Sequence, residues 1–298
     1  MSFLYEKDQS VSHWVQIFSA LFLYILGTII GSIIVAAIIV MQTGAQTSEQ
    51  LYVLYPLTGV VILATSYLFA ISLLLMMFKR ANHTKLSAMG LELKKKTAVD
   101  FLIGASVGIV AIAVIVVVTV VSGVQIIFNQ IDVTMLIALF AGFCTALAEE
   151  VLFRGYIETI LKIRYPQNSA IIIQAGICTL YLWLFSEIGT IAVLNVFGIA
   201  LLLGLIKART QGLFGGLGFN TVWKFFTMSS LGVSQVKSIF TLNISENIFF
   251  GSASDGIEGG LVALIVTVII VFLISAKMTQ QEQPEELERI TIRFRNCQ

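Results

Sequence analysis

Hydrophobic and polar positions along this chain fall into long blocks rather than the short alternations of a soluble fold. Uncharged apolar stretches of about 20 residues, enough to cross ~30 Å of hydrocarbon, are separated by short polar segments. They predict membrane-spanning helices at roughly 14–41, 54–78, 99–123, 132–154, 168–187, 190–206, 212–230 and 257–276, the fourth, fifth and seventh being less purely apolar. The first block runs uncharged from Trp14 to Met41, longer than the core of a cleavable signal peptide, and reads as a span that stays. The expected fold class is all-α: a polytopic membrane helix bundle of about eight transmembrane helices, with no internal repeat.

Composition sharpens that picture. Of 298 residues, 57% are hydrophobic and 12% charged, too few polar groups to cover a soluble protein of this size. The net charge is +1 and the basic residues form no single patch. Nucleic acid is therefore not an expected partner, whereas membrane lipid is. Cys144 and Cys178 lie inside apolar blocks and Cys297 is next to last, so neither a disulfide framework nor a prenylation box is expected.

Basic residues set the orientation. With both termini cytoplasmic, 15 of the 18 Lys and Arg residues lie in inside segments, Lys207 and Arg209 among them; Lys237 falls outside, and Arg154 and Lys224 lie within spans. The expected location is the cell membrane, multi-pass. The chain divides into an N-terminal hairpin (1–85), a transmembrane core (86–276) and a polar tail (277–298). The loop 79–98, with its Lys94-Lys95-Lys96 run, reads as a positive-inside anchor at the headgroups, or else as a lipid or partner site. Glycine pairs one turn apart (Gly27/Gly31, Gly104/Gly108, Gly212/Gly216) suit close helix packing, within the chain or in a dimer. The long external connection 231–256 holds Ile239-Phe240 and Ile248-Phe249-Phe250, which suit an interfacial segment or a protein contact.

Ionisable groups inside a span are functional candidates by default. Here they are Glu149, Glu150 and Arg154 at the inner end of span four, and Lys224 in span seven. On an α-helix Glu150 and Arg154 are i,i+4 neighbours in the orientation that favours an ion pair, while Glu149 points about 100° away. Two readings stand: an ion pair that only docks helices, or a structural pair beside a free carboxylate able to act as general base or ligand.

The EExxxR pattern, Glu149-Glu150-xxx-Arg154 followed by Gly155, resembles the first motif of the CAAX-processing and bacteriocin-processing (CPBP, Abi-type) intramembrane protease family. Met89-Gly90-Leu91 before a span, Arg209-Thr210-Gln211-Gly212-Leu213, the aromatic Trp223 and the glycine-rich Gly251–Gly260 run are similar to further family features, so the resemblance covers roughly 86–275. It implies that Glu149 is the water-activating base supported by Glu150 and Arg154, with histidines from two later motifs completing a metal-dependent site. Those histidines are absent. The chain's two histidines are His13 and His83, and the later motifs fall on Cys178–Leu182, with Leu182 for His, and on Asn220–Lys224, with Asn220 for His and Lys224 for Asn.

Zinc normally takes about three protein ligands, imidazole commonest. Asparagine is a poor ligand, leucine is none, and Lys224 brings a cation that repels metal. The expected arrangement is a Glu149–Lys224–Asn220 polar cluster in a former catalytic pocket; alternatively Lys224 snorkels outward and meets nothing. The resemblance then implies a non-catalytic pseudoprotease that binds or scaffolds a membrane or envelope protein, without a cofactor. The alternative is an active CAAX- or bacteriocin-type endopeptidase with an altered site, for which zinc is expected. HExxH, a nucleophile-elbow serine, paired intramembrane aspartates and a phosphate-binding loop are all absent.

Overall fold

The computed structural model describes residues 12–44, 58–82, 86–93, 95–128, 133–186, 188–227, 240–243, 248–251 and 255–276. Among these, eight main helices follow the eight apolar blocks: α1 (His13–Thr43), α2 (Thr58–Asn82), α3 (Lys95–Val121), α4 (Val133–Glu149), α5 (Gln167–Phe185), α6 (Thr190–Thr210), α7 (Phe214–Thr227) and α8 (Leu261–Ala276). In hydrocarbon every backbone polar group must find its partner inside the chain, and a helix does this within one segment. Helices α1, α2, α3, α5 and α6 are each long and apolar enough to cross a membrane, and α8 is a shorter apolar helix. The chain is a polytopic membrane helix bundle.

The fourth span differs from its expected end at 154. A π-helix, Glu150–Ile157, and a last turn, Glu158–Leu161, continue α4 into one rod from 133 to 161. Its charged residues therefore lie along a helix interior and not at a helix end. A further departure is a short ribbon: β1 (Gln125–Phe128) pairs antiparallel with β2 (Phe240–Asn243), Gln125 opposite Asn243 and Phe128 opposite Phe240. It ties together the two connections that follow α3 and α7. The remainder of 231–256 is described only at 248–251 and 255–256, where the Ile248 and Phe249 carbonyls accept from the Leu261 and Val262 N–H groups that open α8. The tail 277–298, Cys297, His83, Lys94, Lys237 and Ile239 lie outside the described residues.

The glycine pairs work within the chain. A β-carbon on Gly27 would lie 2.9 Å from the Ala70 Cα, and one on Gly31 would lie 2.9 Å from the Ser66 Cα, so α1 and α2 touch backbone to backbone. The Ser32 and Ser66 hydroxyls add a hydrogen bond of 2.9 Å across that contact. Gly104 and Gly108 on α3 meet α7 in the same way. Phe18, Phe22 and Ile33 of α1, Leu102, Val110 and Val117 of α3 and Phe272 of α8 are exposed on the outer face, where lipid receives them. The interior holds the polar groups instead: Glu149, Glu150, Arg154, Glu158, Gln174, Asn195, Lys207 and Asn220 are all buried. One apolar cluster joins the α1–α2 hairpin to α4, its π-helix and α5.

Candidate functional site

The site forms where α4 ends against α7. Glu149 comes from the last turn of α4, and α7 presents Asn220 and Lys224 one turn apart on the same face. The Lys224 ammonium lies 2.9 Å from Glu149 Oε1, and Asn220 Nδ2 donates to Glu149 Oε2 at 3.1 Å. Both carboxylate oxygens are thus engaged, and Lys224 turns inward. The outward-snorkelling alternative does not hold.

Glu150 and Arg154 pair as their spacing suggests, at 3.5 Å, although the intervening helix is π and not α. About 4.4 residues per turn still leaves positions four apart close to one face. Both side chains are essentially inaccessible. Arg154 Nη2 also donates to the Ala200 carbonyl of α6 at 3.4 Å. Glu150 projects toward α7 at Gly216, where a β-carbon would come within 2.7 Å of its Oε2. The Gly212/Gly216 spacing therefore makes room for a carboxylate as well as for a helix.

Three participants escape a reading by sequence. Glu258, in a 3-10 turn before α8, accepts a hydrogen bond from Trp223 Nε1 and lies close enough to Lys224 to attract it. Its carbonyl accepts from Asn195, whose side-chain oxygen takes the Thr267 hydroxyl at 2.8 Å, so α6, α7 and α8 converge on one glutamate. Glu158 is fully buried between Lys162 (2.6 Å) and Lys207 (3.8 Å). Lys207, expected among the cytoplasmic basic residues, is buried and faces the α4 rod. Glu158 and Lys207 gave no signal, because each lies within a few residues of a polar segment near a helix end, where a charge normally reads as solvated. Glu258 falls one residue inside the predicted span 257–276, where a charge reads as part of the preceding connection, and only tertiary structure brings it to Trp223.

Four carboxylates (Glu149, Glu150, Glu158, Glu258) and four cations (Arg154, Lys162, Lys207, Lys224) thus share this buried region, and their charges balance. Neutrality is what permits so many ions in an apolar bundle. Beside Glu149, Arg154, Lys224 and Glu258 lies a cavity of about 20 Å³, room for roughly one water. Glu149, Arg154, Cys178, Leu182, Asn220, Trp223, Lys224 and Glu258 are among its lining residues. Leu182 lines the wall at the position that falls on a family histidine. The donor set does not fit zinc: an ammonium occupies the Glu149 carboxylate, an amide and an aliphatic side chain stand at the histidine positions, and among the described residues no three His, Cys, Asp or Glu side chains are placed to hold one metal ion.

The segments flanking the site also meet. Leu213 N–H donates to the Gly90 carbonyl at 3.2 Å, and Gly90 takes a positive φ of 86° that suits glycine. The Met89–Leu91 stretch is thereby docked on the Arg209–Leu213 turn, with Met89 buried against Gly155. Residues 131–226 match the family model described as type II CAAX prenyl endopeptidase Rce1-like. That segment spans α4 to α7 and carries Glu149, Glu150, Arg154, Asn220 and Lys224, so the family resemblance is borne out across it. No curated protein and no solved structure matches the chain.

Proposed function

We propose that this integral membrane protein is a CPBP-type pseudoprotease of the cell membrane, which retains the family's glutamate–arginine framework and binds or scaffolds a membrane or envelope protein instead of cutting it. The observation that carries this reading is the ion pair between Lys224 and Glu149. A general base must be free to accept a proton from water within hydrogen-bond reach. Glu149 here gives one oxygen to an ammonium and the other to the Asn220 amide. The carboxylate is held as a structural anion that clamps α4 to α7. A water-activating metal would need donors that Leu182 and Asn220 do not supply.

One observation favours the second reading, an active CAAX- or bacteriocin-type endopeptidase with an altered site. The cavity beside Glu149 has room for about one water, and Glu258 supplies a second carboxylate there. Affinity purification of the full chain from its native membranes, with metal analysis of the same sample, separates the two. A stoichiometric protein partner without zinc is the expected result. Stoichiometric zinc without a partner, together with cleavage of a prenylated or leader-bearing peptide that Glu149→Ala abolishes, would overturn the proposal.

A further inference from the structure

The α4 rod changes its hydrogen-bonding register near its end, and the change leaves one backbone acceptor over. Through the π-helix each N–H reaches back five residues, and the Glu158 N–H donates to the Phe153 carbonyl. The last turn, Glu158–Leu161, returns to bonds four residues back. Where five-back bonding gives way to four-back, one carbonyl is skipped, and here it is that of Arg154. A skipped carbonyl buried in an apolar bundle needs a donor from elsewhere.

Lys207 is that donor. Its ammonium donates to the Arg154 carbonyl and to Thr159 Oγ1 at 3.2 Å, and it faces Glu158 Oε1 at 3.8 Å. An ammonium has three N–H groups and no acceptor, so two protons are hydrogen-bonded and the charge faces the Glu158 carboxylate as an ion pair. Two turns earlier on the same helix, the Ala200 carbonyl takes the Arg154 side chain. Helix α6 therefore grips Arg154 by its backbone and by its guanidinium.

We infer that Lys207 is a positioning residue: by occupying the skipped Arg154 carbonyl it locks the π-helix, and with it the directions in which Glu149, Glu150 and Arg154 face. If the rod bonded four back throughout, residues on one side of the junction would turn by about 100° against those on the other. Glu149 faces Lys224 on α7 while Glu158 faces Lys207 on α6. A regular helix keeps only one of those pairings. Lys207 holds this place whether the site cuts or docks a partner.

Cys178 lines the cavity beside Arg154 and is buried, which makes its thiol a reporter of how tightly the π-helix is held. In a Cys144→Ala/Cys297→Ala background, the purified full chain in detergent is labelled with N-ethylmaleimide well below its melting temperature. Lys207→Met should raise the Cys178 rate roughly tenfold, since a buried thiol reacts in proportion to the fraction of molecules locally open. Lys207→Arg, which keeps a cation and several donors, should stay within about twofold of the parent. The double variant Lys207→Met/Glu158→Gln removes the carboxylate that the single change leaves short of charge, so it folds on balanced charges and isolates the carbonyl contact. It should still label roughly tenfold faster. A parental rate in Lys207→Met would overturn the inference. So would a parental rate in the double variant, because Lys207 would then serve only to neutralise Glu158.

Discussion

Lys224 Nζ stands 2.9 Å from Glu149 Oε1, so that an ammonium on α7 neutralises the carboxylate at the end of α4. Asn220, one turn before Lys224, holds the other oxygen. These three side chains make the contact between the two helices polar and directional where most of the bundle is held by shape. Their interaction is also what a mutation series can separate.

Replacing Lys224 with Met leaves Glu149 buried with an amide as its remaining partner. Breaking a buried pair from one side costs up to about 3–5 kcal/mol, whereas replacing both partners by neutral groups is often close to neutral. Lys224→Met should therefore lower the melting temperature in detergent strongly, and Lys224→Met/Glu149→Gln should recover most of the loss. A single variant that melts with the parent would show that the pair contributes nothing.

Arg154→Ala should destabilise more than Glu149→Ala. Neither oxygen of the wholly buried Glu150 has a hydrogen-bond partner, so the Arg154 charge 3.5 Å away is what compensates it, and losing that charge costs about 3–5 kcal/mol. Without Glu149, Lys224 still has the Glu258 carboxylate nearby. Glu149→Ala should accumulate and keep whatever activity the parent has, and Arg154→Ala should accumulate poorly. Equal melting temperatures for the two purified variants would count against this ranking.

Gly216 and Gly176 offer a matched contrast. A β-carbon at Gly216 falls 2.7 Å from Glu150 Oε2 and 3.2 Å from its Cδ, while one at Gly176 meets nothing within 4 Å. Gly216→Ala must displace the buried carboxylate that pairs with Arg154, at a cost of about 1–3 kcal/mol for overpacking. Gly176→Ala should be neutral or stabilising by up to about 1 kcal/mol, since alanine is the better helix former. Thermal unfolding of both in one detergent decides the matter, and a Gly216→Ala variant as stable as Gly176→Ala would refute it.

Much of this was legible in the residues alone. Helices α1, α3 and α6 lie within a few residues of their apolar blocks because nothing but a helix satisfies a backbone in lipid. Glu149, Asn220 and Lys224 could be brought together on paper because the family resemblance puts Asn220 and Lys224 at motif positions that complete a site with Glu149, and because intramembrane charges are rare and seek partners. The π-helix could not, since one extra residue in a helical turn changes neither composition nor periodicity enough to see. Lys207 and Glu158 were obscured by position: near a helix end a charge is normally assigned to the headgroups, and here both fold inward onto the skipped carbonyl and its neighbours. Glu258 reaches Trp223 across 35 positions, a contact that depends on where α8 docks.

The last prediction concerns the surface proposed to meet a partner. Ile248 and Phe249 are exposed, at 60% and 55%, on the outer connection before α8. Their backbone carbonyls accept the first N–H groups of α8, so the main chain of this turn belongs to the fold whatever its side chains do. Gly260 reinforces that role, because a β-carbon there would come within 2.6 Å of the Phe250 backbone. Backbone and side chain can therefore be separated. Phe249→Ser/Phe250→Ser keeps every carbonyl that opens α8 and removes two aromatic rings, the kind of group that anchors interfaces. The expected outcome is loss of the co-purifying partner, with a melting temperature within about 2–4 °C of the parent, the shift typical of a change near 1 kcal/mol in a chain this long. Co-purification that survives the double change would exclude this turn as the main contact, and the basic segment around Lys79, Arg80, Lys95 and Lys96 on the opposite side would become the surface to test. Loss of the partner together with a large fall in melting temperature would instead mark the two rings as part of the support for α8.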